Sequence, residues 1–332
     1  MPTGCRPASP YRLAMAGAAL LACCLMAAGD AAAQRNMIQR PMGHTVLDEA
    51  QEHYRFESFV TTSADGARSW RVRIAIPRHA TPPSGGYPSF WMLDGNAAVM
   101  ELDQALLGEL ARADDPQVLV FIGYDNDLRV DTPARMRDYT FVSDTRETRD
   151  GTTMTAGGGA DAFLETIERQ ILPGVTQRIA LDPARRSLWG HSLGGLFALH
   201  TLYSRTGVFH TYAAASPSLW WRQGAVLAEP EQRFSANNAG RRARLLLSLG
   251  SRERVRSETD RHRERSAILP ADAAERLAER LGAVPGLSVE FHVFDGLDHG
   301  ATLRASLLHA LHRVGGIPDH SQAPRAARAP DR

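Results

Sequence analysis

Gly190-His191-Ser192-Leu193-Gly194, preceded by the apolar run Ser187-Leu188-Trp189 and followed by Leu196-Phe197-Ala198-Leu199, constrains this chain more than any other stretch. A G-x-S-x-G sequence between a strand and a helix puts its serine on a turn so sharp that the hydroxyl stands exposed, in a strained backbone conformation. The residues two positions to either side must then lack side chains, a demand that Gly190 and Gly194 meet. The pentapeptide alone also fits a plain glycine-rich turn, and it is the flanking runs that make Ser192 a candidate nucleophile.

Other apolar segments supply a sheet around that turn. Residues 56–61 and 70–76 alternate about Ser63-Ala64-Asp65-Gly66 and predict an antiparallel hairpin. Residues 88–93 and 118–123 predict strands separated by a helix over 97–111, where Val99, Leu102, Leu106 and Leu110 recur at helical spacing. This is a βαβ pattern, hence parallel strands. Residues 124–158 carry little periodicity and read as a long surface loop. Beyond them come a helix over 161–180, the strand 185–189, the helix 193–203, strands at 211–216, 244–249 and 288–294, and helices at 271–281 and 301–314. The expectation is one α/β domain over residues 40–316, with about eight mostly parallel strands and helices on both faces. Residues 317–332, rich in Pro, Ala and Arg, are expected to be a disordered tail.

Composition narrows the chemistry. With 332 residues, 43% of them hydrophobic, the chain can bury one large core, and a net charge of +1 argues against a nucleic-acid partner. All 38 residues counted as Lys+Arg are arginine, which excludes Schiff-base chemistry, a P-loop lysine and a lysine general base. Residues 1–33 read as a secretory signal: Arg6 and Arg12 precede an apolar segment over 13–28, and Ala31-Ala32-Ala33 offers a cleavage site before Gln34. The apolar segment is shorter than the ~20 residues of a spanning helix, and a lipid on Cys23 is disfavoured by the apolar residues after it. No stable membrane anchor is therefore expected, and the periplasm is the expected compartment. Cys5, Cys23 and Cys24 all lie within the signal, so the mature chain would have neither disulfides nor cysteine metal sites.

A serine hydroxyl needs a base to take its proton and an acid to hold that base. His299, in Asp298-His299-Gly300 between the last strand and the last helix, is the base in best position; His262, His292 and His309 are the alternatives, of which His292, on a strand, and His309, in a helix, are worse placed. The acid should follow the strand at 244–249, which nominates Glu253, with Glu258, Asp260, Asp295 and Asp298 as competitors and a Ser-His dyad as the remaining option. Two backbone N–H groups must receive the oxyanion: that of Leu193 and one from the turn Asp94-Gly95-Asn96, for which Asn96 is nominated ahead of Gly95. No cofactor and no metal are expected.

Leu93-Asp94-Gly95-Asn96, Arg137-Asp138-Tyr139-Thr140, the elbow, Ser216-Pro217-Ser218-Leu219-Trp220-Trp221, Gly250-Ser251-Arg252-Glu253 and the Asp298-His299-Gly300 segment stand in the order seen in the esterase D-like α/β-hydrolases. Over residues 55–315 the chain resembles, more narrowly, the periplasmic trilactone siderophore esterases that act on enterobactin and salmochelin. The resemblance implies an α/β-hydrolase fold with Ser192 and His299 catalytic. It leaves the acid open, since some members of that group are described as dyads, and many carry Gly-Glu-x-Glu where Ser251 stands here. It also implies a cyclic tri-serine ester bearing catecholates as the small-molecule substrate, iron-loaded or iron-free. Such an anionic, aromatic ligand suits Arg129, Arg135 and Arg137 in the long loop, with Trp220 and Trp221 as flat walls. A general carboxylesterase acting on feruloyl or acetyl esters, and a siderophore-binding protein without chemistry, are the competing readings.

Overall fold

Along the strand Val118–Tyr124 successive side chains enter different cores: Val118, Val120, Ile122 and Tyr124 pack on one face of the sheet, Leu119 and Phe121 on the other. A run that is apolar at every position belongs in the middle of a sheet covered on both faces. The computed structural model describes residues 40–141, 143–147, 153–238, 240–254 and 269–321. The expected signal at 1–33, Glu258, Asp260, His262 and the tail from 322 onward lie outside the described residues.

The main sheet is built from β1 (Tyr54–Thr62), β2 (Ser69–Pro77), β3 (Tyr87–Met92), β4 (Val118–Tyr124), β7 (Leu181–His191), β8 (Thr211–Ala215), β9 (Ala243–Gly250) and β10 (Leu287–Phe294). Their spatial order is β1-β2-β4-β3-β7-β8-β9-β10, and β5 (Ser143–Glu147) pairs with β6 (Thr153–Gly157) in a separate hairpin. Only the β1–β2 and β2–β4 pairs of the main sheet are antiparallel; the rest are parallel. All eight strands expected of the main sheet are present. The helices Ala160–Thr166, Leu193–Ser204 and Ala273–Gly282 cover one face through residues such as Phe163, Phe197 and Leu277. Gln104–Arg112 and Thr302–Gly315 cover the other through Leu106, Leu110, Leu307 and Leu311.

Four expectations change. The helix expected over 97–111 is two, Gly95–Met100 and Gln104–Arg112, because the Asp103 side chain accepts from the Leu106 N–H at 2.9 Å and starts a new helix. The expected loop at 124–158 contains the helix Thr132–Tyr139, capped by Asp131 and carrying Pro133 in its first turn, as well as the β5–β6 hairpin. The helix expected over 161–180 is interrupted by a π turn at Ile167–Ile171. The chain also stays packed beyond residue 316: Ile317 is buried in the second core and His320 bonds Glu109 at 2.6 Å.

The strands β3, β7 and β8 run parallel, and Asp94, two residues past β3, and Ser192 and Ser216, directly after β7 and β8, all have positive φ (48°, 61° and 42°). Three strained non-glycine residues at neighbouring strand ends mark one rim of the sheet as the place to look for chemistry.

Candidate active site

Ser192 has φ 61° and ψ −117°, outside the ordinary regions for a residue with a side chain. It is held there by its neighbours: its N–H donates to the Ala215 carbonyl at 2.9 Å, and its own carbonyl accepts from Leu196 at 3.0 Å and Ser218 at 3.1 Å. A Cβ on Gly190 would lie 2.3 Å from the Gly194 carbonyl oxygen, and one on Gly195 would lie 2.7 Å from that of Ala215. A Cβ on Gly194 would find its nearest neighbour at 3.6 Å, an ordinary contact. The steric demand of the elbow therefore falls on Gly190 and Gly195, and the expectation that Gly194 must lack a side chain is corrected.

Ser192 Oγ is 3.0 Å from His299 Nε2, and His299 Nδ1 is 2.7 Å from Glu253 Oε2. The second carboxylate oxygen, Oε1, accepts from the Gly250 N–H at 2.8 Å and the Ser216 hydroxyl at 2.7 Å, while the Thr302 hydroxyl, 3.3 Å away, donates to the His299 carbonyl at 2.8 Å. Burial pushes the Glu253 carboxyl up, but the hydrogen bond from His299, with the Gly250 and Ser216 donors, outweighs it and holds the group below its usual range. An ionised carboxylate only accepts, so Nδ1 of His299 carries the proton and Nε2 presents its lone pair to the Ser192 hydroxyl. Of the competing acids, Asp298 accepts from the Ala301 N–H at 3.0 Å and Asp295 from the Ser251 hydroxyl at 3.2 Å. His292 is stacked on His309, ring centres 4.3 Å apart.

Two helix starts flank the serine. Leu193 opens the helix Leu193–Ser204, while Gly95 and Asn96 open Gly95–Met100. The first N–H groups of a helix have no partner within it, which applies to those of Leu193, Gly95 and Asn96. The two turns adjoin, since a Cβ on Gly194 would sit 3.6 Å from Leu93 Cβ and 3.7 Å from Asp94 Oδ2. The Asn96 side chain is committed to the scaffold: its oxygen accepts from Arg73 at 2.6 Å and its amide donates to the Asn126 and Leu128 carbonyls, both at 2.9 Å.

The loop arginines have other partners than expected. Arg135 grips Asp94 through Nε at 3.0 Å and Nη2 at 2.8 Å, and Nη2 also donates to the His191 carbonyl at 3.1 Å. Its fork is occupied and its side chain only 11% exposed, so it ties the turn after β3 to the elbow and is corrected from a substrate cation to a scaffold. Tyr139 works with it, its hydroxyl accepting from the Asp94 N–H at 3.0 Å. Arg129 is likewise paired, at 3.3 Å, with buried Glu101. Arg137 bonds Asp138 at 2.9 Å yet keeps 42% of its side chain exposed. Trp221 is buried in the core and is corrected from a substrate wall to packing. Trp220 is only partly buried and, with Pro217, Leu219, Leu249 and Glu253, lines a cavity of about 240 Å³ beside the acid. Sequence reasoning missed Ser216, Ser218, Thr302 and His191, four polar residues that meet only through long-range contacts.

A family model described as "Putative esterase" matches residues 63–314. The chain belongs to this esterase family. The esterase is 39% identical over 191 residues to the apo-salmochelin esterase of Escherichia coli O6:H1, a match spanning 57% of this chain and 59% of that protein. It is 30% identical over 260 residues to the ferri-bacillibactin esterase BesA of Bacillus subtilis, across 75% of this chain and 86% of that one. Among solved structures, the enterobactin and salmochelin hydrolase IroE superposes with a TM-score of 0.64 at 31% identity, over 82% of this chain and 99% of that chain. The esterase is thus a serine hydrolase of α/β-hydrolase fold, as the elbow predicts. Among the described residues no helix is long and apolar enough to cross a membrane.

Proposed function

We propose that this esterase hydrolyses the ester backbone of a catecholate trilactone siderophore through an acyl-Ser192 intermediate. In acylation the Ser192 hydroxyl passes its proton to His299 Nε2 as Oγ bonds the ester carbon, and His299 hands that proton to the departing alkoxide as the ester C–O bond breaks. Water then repeats the sequence on the acyl-enzyme, with His299 again the base. Glu253 fixes the tautomer and steadies the imidazolium, and the Leu193 and Asn96 N–H groups receive the oxyanion. The observation that carries the reading is the Ser192–His299–Glu253 relay, at 3.0 Å and 2.7 Å, in a chain whose described relatives bear the names of siderophore esterases. Trp220 beside the acid and half-exposed Arg137 support an aromatic, anionic substrate.

The test is product analysis after incubation with iron-free and ferric enterobactin, for wild type and Ser192→Ala, alongside a neutral aryl ester. Release of linear tri-serine catecholate by the wild type alone, with strong preference over the aryl ester, is expected. Full activity of the variant overturns the mechanism, and preference for the aryl ester overturns the substrate in favour of a general carboxylesterase. Export to the periplasm is the second part of the proposal, supported by the signal-like residues 1–33. Fractionation with N-terminal sequencing should find mature protein starting at or near Gln34, and an uncleaved cytosolic chain overturns it.

A further inference from the structure

Ser218 Oγ lies 3.3 Å from Ser192 Oγ, and the Ser218 N–H donates to the Ser192 carbonyl at 3.1 Å. Ser218 is buried, with 1% of the residue exposed. Its position is fixed by the strained turn at Ser216 after β8, by Pro217, and by the Trp221 N–H, which donates to its carbonyl at 3.1 Å. A hydroxyl has one proton to give. That of Ser192 points to His299 Nε2, which holds a lone pair because Glu253 keeps the other ring proton on Nδ1. In the Ser192–Ser218 pair the donor is therefore Ser218, and the acceptor is the nucleophilic oxygen.

We propose that Ser218 is a further catalytic residue, whose hydroxyl stabilises the Ser192 oxygen at the two moments when that oxygen carries charge. This rests on the acyl-serine reading above and not on the identity of the ester. A hydrogen bond strengthens with charge on its acceptor. In the resting enzyme the acceptor is a neutral hydroxyl. As His299 takes the proton and Oγ bonds the acyl carbon, the oxygen acquires alkoxide character and the Ser218 bond tightens. In the acyl-enzyme the same oxygen is an ester oxygen, a poor acceptor, and the bond relaxes. In deacylation the tetrahedral adduct breaks its Oγ–C bond, Ser192 departs as an alkoxide that recovers its proton from His299, and Ser218 again donates to it. Ser218 keeps its own proton throughout, so nothing is consumed. An interaction stronger in both transition states than in the states around them accelerates both steps. The oxyanion donors act on a different atom, the former carbonyl oxygen.

Ser218→Ala removes the donor where a smaller side chain fits, and Ser218→Cys keeps a donor that is weaker and somewhat bulkier. The readouts are the rate of Ser192 labelling by a fluorophosphonate and the decay of the acyl-enzyme formed from a p-nitrophenyl ester, with KM and melting temperature measured beside them. Labelling and deacylation should both slow about tenfold in Ser218→Ala and less in Ser218→Cys, with KM and melting temperature near wild type. A folded Ser218→Ala or Ser218→Cys that labels and deacylates at the wild-type rate overturns the assignment, as does a loss confined to KM. Wild type that does not label at all removes the nucleophile and this role with it. Normal labelling with no cleavage of enterobactin strikes only the substrate reading.

Discussion

Glu253 meets His299 at 2.7 Å through one carboxylate oxygen while its other oxygen is held by the Gly250 N–H and the Ser216 hydroxyl. The acid is thus fixed before it fixes the histidine. Glu253→Gln puts an amide opposite Nδ1 and frees the ring to take the wrong tautomer, for which kcat should drop about 10³- to 10⁴-fold with KM little changed. A variant within tenfold of wild type would mean that the enzyme runs as a dyad. Because its carboxyl is held below the usual range, the stability that ionised Glu253 contributes is present above about pH 4.3 and is lost as pH falls through its depressed value.

Gly190 and Gly194 are equivalent in the motif but not in space. A Cβ on Gly190 would meet backbone oxygen at 2.3 Å, which neither side-chain nor helix adjustment relieves, whereas one on Gly194 stays 3.6 Å from its nearest neighbour. Gly190→Ala should therefore cost about 4 kcal/mol or more and abolish soluble expression or activity. Gly194→Ala should fold, with thermal stability unchanged or raised, since Ala exceeds Gly in a helix by about 1 kcal/mol. Thermal melts of the two purified variants decide this, and equal losses would contradict it.

The arginines separate by what they leave behind. Arg135→Met strands the Asp94 carboxylate, whose side chain is 7% exposed, and loosens the turn that carries Asn96. Loss of about 3–5 kcal/mol of stability and of most activity on every ester is expected. Arg137→Met leaves the fully buried Asp138 carboxylate with the Trp70 indole N–H at 3.0 Å and Arg68 at 3.7 Å, so a smaller stability loss of about 1–3 kcal/mol is expected. Its effect should appear as a raised KM for an anionic catecholate ester and not for a neutral aryl ester, and equal effects on both would remove Arg137 from the substrate site.

The strands, the elbow and the loci of His299 and Glu253 were readable because each is local: an apolar run, a turn, and a polar residue placed just after a strand. The break at Asp103 was also local, an N-cap three residues before Leu106, but regular apolar spacing across it hid the signal. What could not be read is pairing between distant polar residues. Nothing in Arg-x-Arg-Asp-Tyr tells that Arg135 turns to Asp94, forty-one positions away, while Arg137 turns to its neighbour Asp138. Ser216 and Ser218 are visible in their segment, but only the strained turn after β8 aims one at Glu253 and the other at Ser192. The same limit applies to Trp220 and Trp221, adjacent in sequence and sent to a cavity wall and to the core.

His191, the second residue of the elbow, sets a pH limit on the fold. It is buried, its ring centre is 4.7 Å from that of His299, and its Nε2 lies 3.2 Å from the Thr302 hydroxyl. Burial first, then the facing His299 and Arg135, drive its pKa well below 6.5. The folded protein thus keeps His191 neutral, which spares the imidazolium formed on His299 a second positive ring beside it. The unfolded chain has no such constraint and takes up a proton as pH falls through about 6.5. A base with a depressed folded pKa therefore lowers stability on acidification, by about 1.4 kcal/mol per pH unit from about pH 6.5 down to its folded value. His200 and His292, also depressed chiefly by burial, act with the same sign, so the total slope does not isolate His191. His191→Phe does, because it removes one proton from the balance. Denaturant unfolding of both proteins between pH 7 and pH 5 should give the wild type the steeper loss, by one proton's worth of slope. Parallel slopes would mean that folded His191 accepts its proton and that its neutrality plays no part in the site.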